Sequence, residues 1–194
     1  METASDVIAT VNTRWKPSSL SISIRRLIII IRRETPSDVP TIAALTEAAF
    51  RNAPHAGHTE HFIVDALRAA EMLSVSLVAE MNGALVGHVA ISPVAVSDGA
   101  DGWFGLGPIS VLPERQRQGI GSQLMEHALS ELNQLNASGC VVLGDPKFYA
   151  RFGFQANPNL VLPEVPPEYF QTLALGAEIP RGEVTYHDAF NARE

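Results

Sequence analysis

The sequence predicts one α/β domain with a mixed, mostly antiparallel sheet of about six or seven strands flanked by about four helices. Alternating apolar segments on either side of Asn82-Gly83 are typical of a β-hairpin. From Ile120 onward, apolar residues recur at three- and four-residue intervals, as on one face of a helix. The chain has 194 residues, 46% of them apolar, which is enough for one domain with a complete core.

Composition and charge argue against some functions for this protein and favour others. The formal net charge of −7 argues against nucleic-acid binding through a broad basic surface and suits a cationic or amine substrate. The single cysteine, Cys140, lies in an apolar run, so we expect a buried, reduced thiol in a cytoplasmic protein. The apolar run at residues 27–31 is too short to span a bilayer, which predicts no membrane association.

Residues 1–26 differ in composition from the rest of the chain. They have no sustained apolar face, and they combine Ser, Thr and Asn with Arg14, Lys16, Arg25 and Arg26. We interpret them as a poorly ordered N-terminal extension and predict a single domain over residues 27–194. Their mild basic excess leaves a targeting or regulatory role open.

The first half of the chain predicts one strand, two helices and an antiparallel meander. The β-branched run at residues 27–33 is typical of a strand. Pro40 in a first turn and an apolar stripe ending at Phe50 predict the first helix, and the second is expected over about residues 59–72. The meander strands are predicted over residues 74–80, 84–90 and 103–111.

The last meander strand is interrupted by Gly105-Leu106-Gly107-Pro108. Glycine inside a strand marks a bulge or a close approach by a ligand, and proline cannot donate a ladder hydrogen bond. We therefore expect this strand to open away from its neighbour and to form a cleft.

The second half predicts two helices and three strands. The third helix is expected from about Gly119 to Asn136, and a strand at residues 140–144 follows beside the opened one. Asp145 as N-cap, Pro146 at the first helical position and Gly153 past the end predict a short fourth helix. Further strands are expected around residues 169–175 and 183–186.

The strand-to-helix turn at residues 107–123 is the strongest functional signal. The first N–H groups of a helix have no intrahelical partner and carry partial positive charge, so they bind anions. Gly119 and Gly121 let a phosphate approach the backbone, and Arg115 and Arg117 add positive charge. The turn therefore predicts a pyrophosphate clamp. It matches neither the P-loop, since no lysine follows Gly121, nor the dinucleotide fingerprint.

Two motifs resemble one known family. Gln116-x-x-Gly119-x-Gly121, placed after a strand, resembles the acyl-coenzyme A loop of the GNAT N-acetyltransferases. The segment GDPKFYARFGF at residues 144–154 is similar to the YhbS-like subgroup of predicted acetyltransferases, as are RRETPSDVP near the start and GEVTYHDAF near the end. The resemblance covers the chain from about Leu27 to the C-terminus.

The resemblance implies the GNAT fold and transfer of an acetyl group from acetyl-CoA to a primary amine of a small molecule or peptide, by direct attack in a ternary complex. It implies no metal. Backbone groups of Ile109, Ser110 and Val111 are expected to bind the pantetheine arm like an added strand, because that arm carries amides. The remaining coenzyme contacts are expected from Gln116, Arg117, Gln118, Gly119, Gly121 and Ser122.

The resemblance also implies a role for Tyr149, whose hydroxyl is expected to protonate the leaving thiolate. Many family members carry an asparagine well upstream of this tyrosine that contacts pantetheine. Here the helix starts at Asp145, only four residues before Tyr149, so that contact is not expected.

The general base is left open among Glu47, His88 and a water held by backbone. Together with Phe50, the first two are expected to line the acceptor pocket. His55, His58 and His61 recur at three-residue intervals, but no CxxC or HExxH accompanies them, so we interpret them as solvated loop residues or substrate contacts, not metal ligands.

Two other functions compete with the enzyme reading. A coenzyme-binding or regulatory module of the same fold would need neither the asparagine nor a base. An oxidoreductase on a nucleotide-binding fold would bind NAD rather than CoA. The resemblance also allows a homodimer formed through the C-terminal strand.

Overall fold

The fold is taken from a computed structural model that describes residues 28–53 and 57–193. The predicted extension at residues 1–26, together with His55, lies outside the described residues. Within them the structure has eight strands and four α-helices. In chain order these are β1 Ile29–Arg33, α1 Val39–Phe50, α2 Glu60–Ala69, β2 Val75–Met81, β3 Ala84–Val96, β4 Trp103–Val111, α3 Ile120–Gln134, β5 Gly139–Leu143, α4 Pro146–Tyr149, β6 Leu160–Val161, β7 Phe170–Ala174 and β8 Gly182–Tyr186.

The strands form one mixed sheet in the order β1-β2-β3-β4-β5-β7, and β8 joins β6 to the far end of β3. The β4–β5 and β6–β8 pairs are parallel, and the other pairs are antiparallel. The expectation of a mixed, mostly antiparallel sheet with about four helices is confirmed. The structure has one strand more than the predicted six or seven, because the two-residue strand β6 was missed.

Two predicted boundaries were wrong for identifiable reasons. The second helix ends at Ala69 instead of residue 72, because Glu71 adopts φ +58 and Met72 N–H turns back to the Leu67 carbonyl. The middle meander strand continues to Val96 instead of residue 90. Past Pro93 it exchanges its partner β4 for β8, which pairs with residues 94–96.

The interruption in β4 is confirmed as a bulge. Val89 pairs with Ile109 and Ile91 pairs with Leu106, so two steps on β3 face three steps on β4. The extra residue changes which positions face α3. Before the bulge Phe104 and Leu106 pack on the α3 side, and after it Ile109 and Val111 do.

The bulge also marks where β4 leaves β5. The parallel pairing runs from Trp103–Gly139 to Leu106–Val142 and stops there. Beyond Leu106, β4 keeps β3 as a neighbour, while β5 continues beside β7 to the Leu143–Phe170 pair. The two strands therefore open into the predicted cleft.

Both faces of the sheet are covered, which explains why β2 and β3 are apolar almost throughout. One face packs on α3 through Leu124, Met125 and Ala128. On the other face α1 and α2 contribute Ile42 and Val64 to a separate cluster. A third cluster around a fully enclosed Trp103 joins β4 and β5 to β8 and β6; its buried members are Val96, Trp103, Val141, Leu160, Phe170 and Val184.

We predict that Gly105→Ala destabilises the fold, because an added Cβ would collide with the ring of Tyr186 on β8 and with Val94. Overpacking of this kind lowers the free energy of unfolding by about 1–3 kcal/mol. Gly121→Ala is the matched control, because its Cβ would meet nothing closer than Phe148 at 3.6 Å. Urea denaturation measures both, and equal stability of the two variants would contradict this packing.

Candidate active site

The loop between β4 and α3 presents a run of unpaired backbone donors. A short 3-10 turn, Pro113–Arg115, leads into residues 116–119, and residues 113–119 are all exposed. None of the N–H groups from residue 117 to 122 donates to a backbone carbonyl of the described residues; the first return bond runs from Gln123 N–H to the Gly119 carbonyl. These donors lie at the start of a 15-residue helix, where unpaired N–H groups and the helix dipole favour an anion.

The two glycines keep the concavity in front of these donors open. Gly119 is the residue before the helix and adopts φ +83, a left-handed conformation that disfavours a side chain. A Cβ there would meet no atom within 4 Å. At Gly121 it would meet only Phe148 and Val111, at 3.6 Å or more. The space above both glycines is therefore free, and a pyrophosphate fits the donor set.

The glutamines of the motif brace the loop through their side chains. Gln116 Nε2 donates to the Val111 carbonyl at 3.2 Å, and Gln118 Nε2 donates to the Glu114 carbonyl at 3.1 Å. Arg115 and Arg117 are exposed, and neither forms an ion pair with another described residue. Their charges therefore remain available to an anion.

Tyr149 ends α4, which begins as predicted. Asp145 caps the helix by accepting from Lys147 N–H at 2.9 Å, and Pro146 occupies the first turn. The Tyr149 ring is 7% exposed and packs edge-on against Phe148, with 5.0 Å between the ring centroids. Burial raises the pKa of Tyr149 well above its usual value, so its hydroxyl keeps its proton at neutral pH.

The expected pantetheine strand lies at the opened part of β4. Ile109 and Val111 pack toward α3, while Ser110 points to the opposite face. The Ser110 side chain is buried, and its hydroxyl donates to Thr46 Oγ1 on α1 at 3.1 Å. The edge of β4 beyond Leu106 has no strand beside it in the described part of the chain.

The three residues expected in the acceptor pocket are not brought to one surface. Glu47 is exposed and pairs with Arg51 on the next helical turn at 3.2 Å. Phe50 is half-buried at the end of α1. His88 is fully buried, and its Nε2 lies 2.8 Å from Ser76 Oγ.

A set of interactions around His88 was missed by the sequence reading. Glu34, just past β1, accepts a hydrogen bond from Ser76 Oγ and two from the Arg68 guanidinium, at 2.8 and 2.9 Å. Burial alone would raise the pKa of Glu34, but hydrogen bonds from Arg68 and Ser76 hold it well below its usual value. Burial lowers the pKa of His88, against the opposing effect of Glu34. The one signal in the sequence for these interactions was Ser76 in the apolar strand β2. The alternating pattern of a strand would place that serine on the solvent side.

No metal centre is formed among residues 28–53 and 57–193, since no three His, Cys, Asp or Glu side chains converge there. In the same ranges, no helix has the length and hydrophobicity needed to cross a membrane.

Comparison with known proteins defines the class. The acetyltransferase (GNAT) domain family matches residues 73–156. The uncharacterized N-acetyltransferase YhbS of Escherichia coli strain K12 is 37% identical over 128 residues, which is 66% of this chain and 74% of YhbS. The chain belongs to the GNAT family of N-acetyltransferases.

Two solved structures are similar to most of this chain. A GNAT family acetyltransferase from Brucella melitensis, in complex with acetyl-CoA, is 48% identical with a TM-score of 0.76; the match covers 84% of this chain and 99% of that one. YhbS from Escherichia coli, in complex with CoA, is 34% identical with a TM-score of 0.77, and the match covers 85% and 93%.

We predict that Gly119→Ala lowers the free energy of unfolding by about 1–2 kcal/mol, because alanine is strained at φ +83 although no atom crowds it. Gly119→Asn is the control, since asparagine tolerates the left-handed region better and should cost less. Urea denaturation of both variants measures the difference. Stability equal to that of the parent protein in Gly119→Ala would show that the turn does not require this conformation.

Proposed function

We propose that the protein transfers an acetyl group from acetyl-CoA to a primary amine by direct attack in a ternary complex. The single observation that carries this proposal is the run of free N–H groups at residues 117–122 beside the opened edge of β4. Two relatives with the same fold, 48% and 34% identical, were solved with acetyl-CoA and with CoA.

In this proposal the backbone holds the coenzyme. The N–H groups of residues 117–122, including those of Gly119, Gly121 and Ser122, bind the pyrophosphate, while Gln116 and Gln118 keep the loop in shape. The pantetheine arm lies along residues 109–111 and replaces the missing strand on that edge. Because these contacts use main-chain groups, they depend on the path of the backbone more than on side-chain identity.

In acetyl transfer the attacking amine must lose one proton and the leaving thiolate must gain one. The amine nitrogen attacks the thioester carbonyl carbon, so that the C–N bond forms and the C–S bond breaks. An N–H of Ile109 or Val111 stabilises the negative charge on the carbonyl oxygen. Tyr149 gives its proton to the leaving thiolate, which is consistent with its protonated state.

The proposal extends to the organisation and setting of the chain. Residues 27–194 form one catalytic domain, and residues 1–26 lie outside it. The acceptor is a small molecule or peptide carrying a primary amine, and Glu47 and Phe50 on α1 line its entry. A buried, reduced Cys140 suits a cytoplasmic enzyme.

We predict that calorimetric titration with acetyl-CoA shows one binding site and that Gly121→Glu abolishes it, because the side chain fills the concavity and repels the pyrophosphate. Ser130→Glu is the matched control, since it adds the same charge on an exposed face of the same helix. Tyr149→Phe should bind acetyl-CoA as the parent does. Unchanged affinity in Gly121→Glu would remove the loop from the coenzyme site.

We predict that the protein releases CoA from acetyl-CoA faster with a suitable amine in a panel of spermidine, L-lysine amide, an N-terminal alanine peptide and kanamycin. Tyr149→Phe should lower turnover by about 10²-fold, the usual contribution of a general acid. A thiol-release assay measures both. Turnover by Tyr149→Phe equal to the parent at every pH would exclude Tyr149, and no amine-dependent release from the parent would favour a coenzyme-binding module.

A further inference from the structure

The proposed function assigns protein groups to two parts of the coenzyme and leaves a third part unassigned. The pantetheine arm is placed along residues 109–111, and the pyrophosphate at residues 117–122. The remaining charged group of coenzyme A is the 3′-phosphate on its ribose, a phosphate monoester with more than one negative charge at neutral pH. A chain with a net charge of −7 would repel this group unless a cation lies beside it.

Helix α4 borders the concavity at Gly121. A Cβ at Gly121 would lie 3.6 Å from Phe148 Cζ, so the edge of this ring forms one side of the concavity. Phe148 is half-buried, and its ring packs edge-on against Tyr149. The Phe152 ring lies on the next turn, with 5.5 Å between the two ring centroids. These contacts fix the Phe148 ring beside the first turn of α3.

The guanidinium of Arg151 lies over the Phe148 ring. Its Cζ atom is 4.7 Å from the centroid of that ring and 5.5 Å from the centroid of Phe152, both within the range of cation–π contacts. Arg151 Nε also donates to the Phe148 carbonyl at 3.2 Å. Three contacts therefore hold the guanidinium in one place, although Arg151 is an exposed residue.

The two outer nitrogens of this guanidinium have no partner within residues 28–53 and 57–193. Neither Nη1 nor Nη2 of Arg151 forms a hydrogen bond there, and Arg151 forms no ion pair with a carboxylate of these ranges. The N–H groups of an arginine match two oxygens of one phosphate. Arg151 thus presents an uncompensated positive charge and free donors in a fixed position.

The spacing of the two sites agrees with the chemistry of the coenzyme. In coenzyme A one ribose carries the pyrophosphate at its 5′-carbon and the 3′-phosphate on its ring, so one sugar separates the two groups. In the protein one aromatic ring, that of Phe148, separates Gly121 from the Arg151 guanidinium. An anion bound at Arg151 would therefore lie next to the pyrophosphate.

We propose that Arg151 binds the 3′-phosphate of coenzyme A and that Phe148 positions the guanidinium for this contact. The protein would then prefer coenzyme A to its 3′-dephosphorylated form. This inference rests on the proposed function, because it takes the pyrophosphate to lie at residues 117–122. No bond is made or broken at this site, so Arg151 contributes to the affinity for the donor and not to the chemical step.

The test compares the dissociation constants of acetyl-CoA and 3′-dephospho-acetyl-CoA by calorimetric titration. The parent protein should bind acetyl-CoA about tenfold more tightly, the size expected for a hydrogen bond between charged groups. Arg151→Gln should bind both coenzymes with the affinity that the parent has for the 3′-dephospho form, because only the phosphate contact is lost. Arg151→Lys should keep part of the preference, since it retains the charge but not the planar donor pair.

Two further variants separate the roles of charge and position. Phe148→Leu removes the ring under the guanidinium, so it should reduce the preference for acetyl-CoA while the affinity for the 3′-dephospho form stays that of the parent. Lys147→Gln is the matched control. It removes one positive charge from an exposed position of the same helix, and it should keep the parent preference.

The ratio of the two dissociation constants distinguishes this contact from other roles of Arg151. A purely structural role, or a contact with the pyrophosphate, would weaken the binding of both coenzymes alike in Arg151→Gln, and an unchanged ratio would overturn the inference. Equal affinity of the parent for the two coenzymes, or an equal loss of preference in Lys147→Gln, would also overturn it and leave the acetyltransferase assignment intact. No binding of acetyl-CoA to the parent would overturn both.

Discussion

Strand β4 has a neighbour on each side only as far as Leu106, and beyond the bulge it keeps one. An unpaired strand edge in a covered sheet leaves backbone donors and acceptors that need partners. After the 3-10 turn Pro113–Arg115, six more N–H groups at residues 117–122 are unpaired. The chain thus has two neighbouring sets of free main-chain groups, and an extended ligand with amides and a diphosphate would satisfy both.

The two faces of the sheet differ in polarity at the opened part of β4. On the α3 side the packing is apolar, and Ile109 and Val111 join the main core, which fixes the path of the opened strand. On the α1 side, Ser110 and His88 form hydrogen bonds with the hydroxyls of Thr46 and Ser76. A polar group buried without such a bond would lower the free energy of unfolding by about 1–3 kcal/mol. The bulge causes this difference, because its extra residue determines which side chains of residues 109–111 face α3 and which face α1.

Much of this arrangement could be predicted from sequence because its signals are local. Gly107-Pro108 marked the bulge, Gly119 the start of α3, and Asp145-Pro146 the start of α4. The hydrogen bonds of Ser76 with Glu34 and His88 could not be predicted, because alternation in a strand identifies two faces but does not show that both are covered. Likewise, the end of α2 could not be predicted, because the residue with positive φ that follows it is Glu71 and not a glycine.

The most direct test of this account is a crystal structure of the protein with acetyl-CoA. We expect the pyrophosphate within hydrogen-bonding distance of the N–H groups at residues 117–122, the pantetheine amides paired with β4 beyond Leu106, and the Tyr149 hydroxyl as the acid nearest the sulfur. A coenzyme bound elsewhere, with the concavity above Gly119 and Gly121 filled by the protein's own side chains, would contradict it.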